Sequence, residues 1–330
     1  MSDGSCDRMR TALIGLGKQA TENYLPGLID SQLAQLVAVC DVDVKNIEGF
    51  MKKLSVRGYT DFRSLLNTEQ LDFVIVAAPH DVHAEIVEYA ARKGVHILKE
   101  KPFARSLEEG NRLLEQIESY GIHLVTTLQR RYNPIYTTFF NLVDQIGNIK
   151  FIEGKYTLCF EKPSEGWRGD KARAGGGCLI DMGYHVLDMI IWYFGLPDAV
   201  IAEFQNNVDA PEETAVVTFK YHNGTFGSVL ISRNCPPKTE FIKAYGNYGC
   251  VEVERGRIRR LKKNGEIAES LIREKAWAIA TTKQIDSFCR ILMGKTENTG
   301  SPAYHLQHLR FIEACYLSQS RAAYVNPKEL

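Results

Sequence analysis

Asp181 and His185 stand four residues apart in the stretch GGGCLIDMGYHVLDMIIWYFG, residues 175–195. After the three glycines the apolar positions recur at helical spacing, which predicts that Asp181, His185 and Asp188 share one helical face. A carboxylate beside an imidazole can move a proton, because an imidazole titrates near ~6.5 and so holds or releases one at neutral pH. A capped polar face on a core helix gives the same spacing without any chemistry.

A second candidate lies in HILKEKPFA, residues 96–104, where Lys101 sits between Glu100 and Pro102 as an apolar run stops. A charged lysine there needs a partner or a ligand to offset its desolvation. Pro102 cannot donate a ladder hydrogen bond, so it is expected to end the strand and to hold Lys101 extended, aiming the ammonium. The bland reading is a surface lysine at the start of a loop. A third group is GLGKQA, residues 15–20, which fits G-x-G-x-x-A. Gly15 permits a tight turn, and Gly17 lets a pyrophosphate approach the backbone at a helix N-terminus. Lys18 and Gln19 complete that loop as cofactor-binding candidates. Asp41 follows after an apolar run, where a carboxylate can take the ribose hydroxyls of a dinucleotide. In AAPHDVHAEI, residues 77–86, Pro79 and His83 fall at the end of a further apolar run. A lone histidine such as His83 is more often a capping or packing residue than a ligand.

Positioning these groups requires particular elements. Short, nearly continuous apolar runs occur at 11–17, 35–41, 72–79, 95–101 and 122–129, with a weaker one at 57–61. Runs of that kind indicate a parallel sheet covered on both faces. Amphipathic stretches at 81–94 and 106–121 alternate with them, so the first part reads as an α/β, doubly wound Rossmann domain. In such sheets ligands bind at the carboxyl ends of the strands, which is where Gly15, Asp41, Pro79 and Lys101 all fall. A helix is predicted over 134–146. Beyond it the period changes to two, at 150–160, 215–222 and 225–233, the last two flanking Asn223-Gly224, a strong hairpin signal. Residues 251–261 read as another antiparallel pair, and helices at 275–294 and 303–319 close the chain. The second part is therefore an α+β domain on an open, largely antiparallel sheet. The division expected is 9–129 and 130–330.

Lysines plus arginines equal aspartates plus glutamates at 40 each, which argues against nucleic acid or an anionic membrane as the main partner. The basic run RGRIRRLKK, residues 255–263, reads as a solvated surface. Eight cysteines occur with no C-x-x-C pair, so no metal site is expected and the thiols read as reduced. The first ten residues lack the apolar core of a signal peptide, and no apolar run is long enough to span a bilayer, so a cytoplasmic protein is expected.

GLGKQA, AAPHDVHAE, EKPFA and GGGCLIDMGYHVLD, in that order, resemble the Gfo/Idh/MocA family from about residue 9 to residue 320. The resemblance implies an NAD(P)-dependent oxidoreductase moving a hydride between nicotinamide and a secondary alcohol or ketone of a sugar, sugar nucleotide, inositol or related cyclic polyol. It implies Lys101, Asp181 and His185 as catalytic positions in one shared site, with Glu100 beside the nicotinamide ribose. Ala20 departs from the family glycine, and 167–177 is a segment whose charges could meet substrate or cofactor. Asp41 favours NAD, while Lys45 keeps NADP open. The resemblance also implies a homo-dimer or homo-tetramer. The alternatives are an NAD-dependent glycosidase acting by transient oxidation and a non-catalytic dinucleotide-binding regulator.

Overall fold

The computed structural model describes residues 8–162, 165–205, 210–273 and 276–330; Cys6 lies outside them. Two compact units emerge. The first takes in residues 1–104, 108–132 and 277–305, and the second 105–107, 133–276 and 306–330. A single cut after residue 129 would assign 277–305 to the second unit. Side-chain packing explains the difference: Ile285, Phe288, Cys289 and Ile291 of the helix Ala276–Leu292 are buried in the same cluster as Leu13, Val39, Phe73 and Leu98. The sequence pattern shows that this helix has an apolar side; it does not show which sheet that side covers.

In the first unit, strands β1 (Met9–Ile14), β2 (Ala34–Cys40), β3 (Arg57–Tyr59), β4 (Phe73–Val76), β5 (His96–Lys99) and β6 (Leu124–Thr126) form one sheet. Their order is β3-β2-β1-β4-β5-β6, and every pair is parallel. β4 is FVIV with all four residues buried, as a strand covered on both faces requires. Strand order reverses between β1 and β4, which opens a crevice at the carboxyl ends of the strands. β5 stops at Lys99, earlier than an end at Pro102 predicts, although Glu100 N–H still reaches the Val76 carbonyl at 2.8 Å.

The second unit carries eight strands: β7 (Ile149–Cys159), β8 (Ala199–Gln205), β9 (Thr214–Lys220), β10 (Phe226–Ser232), β11 (Asn234–Gly246), β12 (Gly249–Glu254), β13 (Arg257–Lys262) and β14 (Ile267–Ile272). Their order is β14-β13-β12-β11-β7-β10-β9-β8, antiparallel except for the β7–β10 pair. β9 alternates buried with part-exposed or exposed residues, the mark of a sheet with one open face. β11 escapes the period-two reading because Pro236 and Pro237 interrupt it, and its register with β7 shifts between Asn234 and Thr239. The predicted helix over 134–146 is two short helices, Pro134–Thr137 and Phe139–Val143, and a final 3-10 turn. The basic run lies on β13, where Arg257, Arg259 and Arg260 pair with Glu254, Glu252 and Glu269. Three of the run's six basic residues thus have carboxylate partners across the strands.

The covered face of this sheet meets the helix Tyr184–Phe194, and Val186 and Val229 crowd Gly154 so closely that an added Cβ would lie 3.2 and 3.0 Å from them. Asp188 on that helix is buried and shares a 2.9 Å hydrogen bond with the buried His308 of the helix Pro302–Arg321.

Phe288 packs edge-on against Phe73 with ring centroids 5.2 Å apart. Phe288→Ala should therefore destabilise the first unit by about 3–5 kcal/mol, the usual cost of an aromatic cavity. Urea denaturation followed by a dinucleotide-binding signal measures this. A loss under about 1 kcal/mol would show that the helix does not complete this core.

Candidate functional site

The first unit gathers one group of candidates at the carboxyl edge of its sheet. Gly15 follows β1 with φ +89°, and a Cβ there would lie 2.6 Å from the Ala78 nitrogen. Only glycine fits, both for its backbone conformation and for that approach. Gly17 is the opposite case, since a Cβ would meet nothing within 4 Å. The helical segment beginning at Lys18 starts directly after it, and Thr21 N–H reaches back to the Gly17 carbonyl at 3.1 Å. Open space above a bare backbone at a helix start suits a pyrophosphate.

Asp41 ends β2. Its Oδ2 accepts from Leu16 N–H at 2.6 Å and its Oδ1 from Asp43 N–H at 2.8 Å. The carboxylate is thereby fixed against the glycine loop, with lone pairs left on both oxygens for ribose hydroxyls. Pro79 precedes the helix His80–Arg92 in an extended conformation. His83 is buried under it, Nε2 2.8 Å from the Ala78 carbonyl. Burial first, then the charges of Lys99 and His80, hold its pKa well below the usual value, so the ring is neutral and supports the 77–79 turn.

Glu100 is buried, and its Oε1 accepts from Tyr24 Oη at 2.7 Å, Gln19 Nε2 at 3.1 Å and Gln129 Nε2 at 3.4 Å. Burial, with Glu100 beside it, raises the Tyr24 pKa well above its usual value, so Tyr24 stays a donor. Gln19 is therefore engaged with Glu100, and in turn accepts from Asn23 at 3.0 Å. Lys18 is exposed and 3.8 Å from Glu22.

Lys101 follows β5 by two residues, half-buried, and its charge helps depress both Lys99 and His83. Lys99 is the residue that sequence reasoning missed. It is wholly buried, and its Nζ donates to the carbonyls of Pro102 and Phe103, at 3.0 Å for the latter. These bonds tie down the segment that carries Lys101. Burial lowers the Lys99 pKa from 10.5 to about 7, and even a neutral amine keeps two N–H groups for the two carbonyls. The signal was visible in the sequence as a lysine in the last position of an apolar strand.

The second unit holds the other group. Residues Leu179–Gly183 form a π-helical turn that leads into the helix Tyr184–Phe194. Such turns recur at functional sites and shift side chains off the regular helical spacing. The expected common face accordingly divides. Asp181 is buried and accepts from Arg168 Nε at 3.1 Å; Asp188 turns inward to His308; His185 is half-buried, its ring 6.4 Å from that of Tyr156 on β7. Asp181 and His185 thus share one short segment of this unit, while Lys101, Glu100, Asp41, Gly15 and Gly17 share one edge of the other. Arg168 lies in the charged segment 167–177 flagged by the sequence.

Among the described residues no cluster of three or more His, Cys, Asp or Glu could hold a metal, and no helix is long and apolar enough to cross a membrane. Seven described cysteines are free.

Residues 9–127 match the family model described as "Oxidoreductase family, NAD-binding Rossmann fold", and residues 142–252 match "GFO/IDH/MocA C-terminal domain". An uncharacterized oxidoreductase of Schizosaccharomyces pombe is 30% identical over 46% of this chain, and the chain spans 42% of that relative's length. The D-apiose dehydrogenase of Paraburkholderia graminis is 26% identical over 98% of this chain and 91% of its own. In fold, the chain is similar to the WlbA dehydrogenase from Bordetella pertussis in complex with NADH and UDP-GlcNAcA, with a TM-score of 0.86, 21% identity and coverage of 98% of both chains.

Between pH 7 and 10.5 the unfolded chain binds a proton that folded Lys99 has released, so raising the pH through that window favours the folded state. Relative to Lys99→Met, the wild type should gain stability from pH 7 to pH 10, read as a growing difference in urea midpoints. A difference that stays flat over that range would show that Lys99 keeps its ordinary pKa.

Proposed function

Because the chain belongs to the Gfo/Idh/MocA oxidoreductase family, we propose that it is an NAD-dependent dehydrogenase acting on a secondary alcohol or ketone of a sugar or related cyclic polyol. The observation that carries this reading is the carboxyl edge of the first sheet. There the Gly15–Gly17 cradle, the backbone-anchored Asp41 and the clamped segment bearing Lys101 follow β1, β2 and β5, with β4 between β1 and β5. A sugar-type substrate is supported by the relatives, one of them named a D-apiose dehydrogenase and another crystallised with a nucleotide sugar acid.

Gly17 and the first turn of the helix behind it would hold the pyrophosphate, and Asp41 the adenosine ribose. Asp41 places a negative charge where a 2′-phosphate would lie, which favours NAD over NADP. Glu100, its Oε1 saturated by Tyr24, Gln19 and Gln129, presents a fixed carboxylate beside Lys101. Bound nicotinamide supplies the hydride acceptor or donor. The Lys101 ammonium stabilises the substrate oxygen as its charge develops. His185 takes the hydroxyl proton during oxidation and returns it during reduction. Asp181, held by Arg168, orients the substrate or the imidazole. Seven free cysteines among the described residues agree with a reducing, cytoplasmic setting.

The open face of the second sheet carries exposed Val216 and Phe226, with Phe151 5.1 Å from Phe226. Apolar surface of that kind fits a second copy of the chain, so the protein should be a homo-dimer or homo-tetramer. Sedimentation of the wild type tests this, and a monomer at micromolar concentration would overturn it.

Lys101→Met and His185→Ala should each slow turnover by roughly 10²–10⁴-fold while NADH binding stays within about twofold. Their losses should not multiply in the double variant, since groups serving one step act as a unit. The assay is a screen of polyols, aldoses and nucleotide sugars read by nicotinamide absorbance, with NADH and NADPH titrated on the same preparations. Near wild-type turnover in His185→Ala, or tighter binding of NADPH than NADH, would overturn the corresponding assignment.

A further inference from the structure

Three consecutive backbone N–H groups at the start of the segment bearing Asp181 and His185 converge on one residue. Gly177 N–H lies 2.9 Å from both carboxylate oxygens of Glu212, and Leu179 N–H lies 3.0 Å from Oε1. Cys178 N–H, between them, donates to the Glu212 backbone carbonyl at 2.8 Å. Tyr316 Oη is a fourth donor, to Oε1 at 2.9 Å. Glu212 is 4% exposed, so these donors replace water almost completely. The first N–H groups of a helix have no partners within it, and a carboxylate there satisfies them and complements the helix dipole.

The three glycines before the helix are what admit this carboxylate. At Gly177 a Cβ would fall 2.0 Å from the Glu212 carbonyl oxygen. Gly176, at φ +156°, would place one 2.1 Å from Tyr316 Oη, and Gly175, at φ +84°, one 2.7 Å from the Arg105 carbonyl. The run is thus a set of separate close approaches, two of them to Glu212 and its own partner. The connection to the candidate chemistry is one bond long: Asp181 N–H donates to the Gly177 carbonyl at 3.1 Å. Fixing the Gly177 peptide fixes the turn that aims Asp181 at Arg168.

We propose that Glu212, backed by Tyr316, is a positioning residue for the dehydrogenase reaction, holding the π-helical turn of Asp181 and the helix start of His185 in register. It touches neither substrate nor cofactor; it acts through the peptide N–H groups of residues 177–179. The roles of Asp181 and His185 rest on the function proposed above, whereas the clamp itself is a property of the second unit alone. Burial raises the Glu212 pKa and the N–H bonds oppose that rise; Tyr316 stays protonated, because burial and the neighbouring carboxylate push its pKa well above the usual value.

The test is amide hydrogen exchange by NMR on the full-length protein saturated with NADH, with the Arg168 Nε–H resonance as a reporter of Asp181. In the wild type, the Gly177 and Leu179 amides should exchange slowly despite lying at a helix start. Exchange at unprotected rates would overturn the clamp even if no variant folds. Glu212→Gln keeps the volume but offers one acceptor oxygen, and its amide group opposes an N–H. It should speed exchange at Gly177 and Leu179 by roughly tenfold or more, on the scale of a lost hydrogen bond to a charged group. It should also shift the Arg168 Nε–H resonance and lower kcat by about tenfold or more while the NADH Kd stays within about twofold. Tyr316→Phe, which leaves the N–H bonds in place, should disturb those amides much less. Unchanged amides in Glu212→Gln, or exchange raised equally across the whole second unit, would reduce Glu212 to an ordinary packing residue. A wild type with no turnover on any polyol or sugar would instead remove the dehydrogenase reading and leave the exchange results standing.

Discussion

A gap too narrow for one methyl group governs the cofactor edge. The backbone at residue 15 passes so close to the 77–78 peptide that a Cβ would sit 2.6 Å from a main-chain nitrogen. Everything at that edge depends on this approach. It brings the end of β1 against the end of β4, and Gly15 N–H bonds the Cys40 carbonyl at 2.8 Å, adding the end of β2. Asp41 then closes the loop by accepting from Leu16. With the main chain so tightly spaced below, the open side above Gly17 leaves bare peptide that a ligand can approach.

Much of this could be read from the residues. Period-one apolar runs gave the parallel strands, because a strand covered on both faces has no polar side to alternate with. Asn223-Gly224 marked the β9–β10 hairpin, where Gly224 has φ +86°. The glycine loop, Asp41, and the Glu100–Lys101 pair fell at the strand ends that a doubly wound sheet uses. What could not be read depends on contacts between distant segments. Glu212 lies far from the helix it caps, and nothing in PEET, residues 211–214, distinguishes a buried clamp from a surface acid. The π-helical turn at Leu179–Gly183 was equally hidden, since an apolar period cannot register one widened turn. The bond from the Gln19 amide to Glu100 joins segments 81 residues apart, which the loop pattern does not contain.

Two buried charged residues illustrate a common device. Lys99 and Glu212 both sit where solvent is excluded, and both spend their hydrogen-bonding capacity on peptide groups rather than on opposite charges. Lys99 holds the carbonyls just beyond Lys101; Glu212 holds the amides just before Asp181. A peptide group so held cannot pivot, and the main chain that carries the functional side chain is anchored within a few residues of it. Precision at a functional side chain is thus set by its neighbours' peptides: the held groups lie within four residues of the side chains they serve, whereas the residue that holds them can be distant in sequence, as Glu212 is.

The helix Ala276–Leu292 buries Ile285, Phe288 and Cys289 against the first sheet although it is encoded near the end of the chain. Translation proceeds from the other terminus, so the six strands emerge long before the helix that finishes their core. Until residue 292 clears the ribosome, Phe73 and its neighbours lack their aromatic cover. The nascent first unit therefore waits, with an apolar face uncovered, for the whole second sheet to be made. Long-range closure of this type slows folding and prolongs exposure to aggregation. In a cell, the vulnerable interval is set by elongation speed across residues 133–276 and by whatever chaperone shields that face meanwhile.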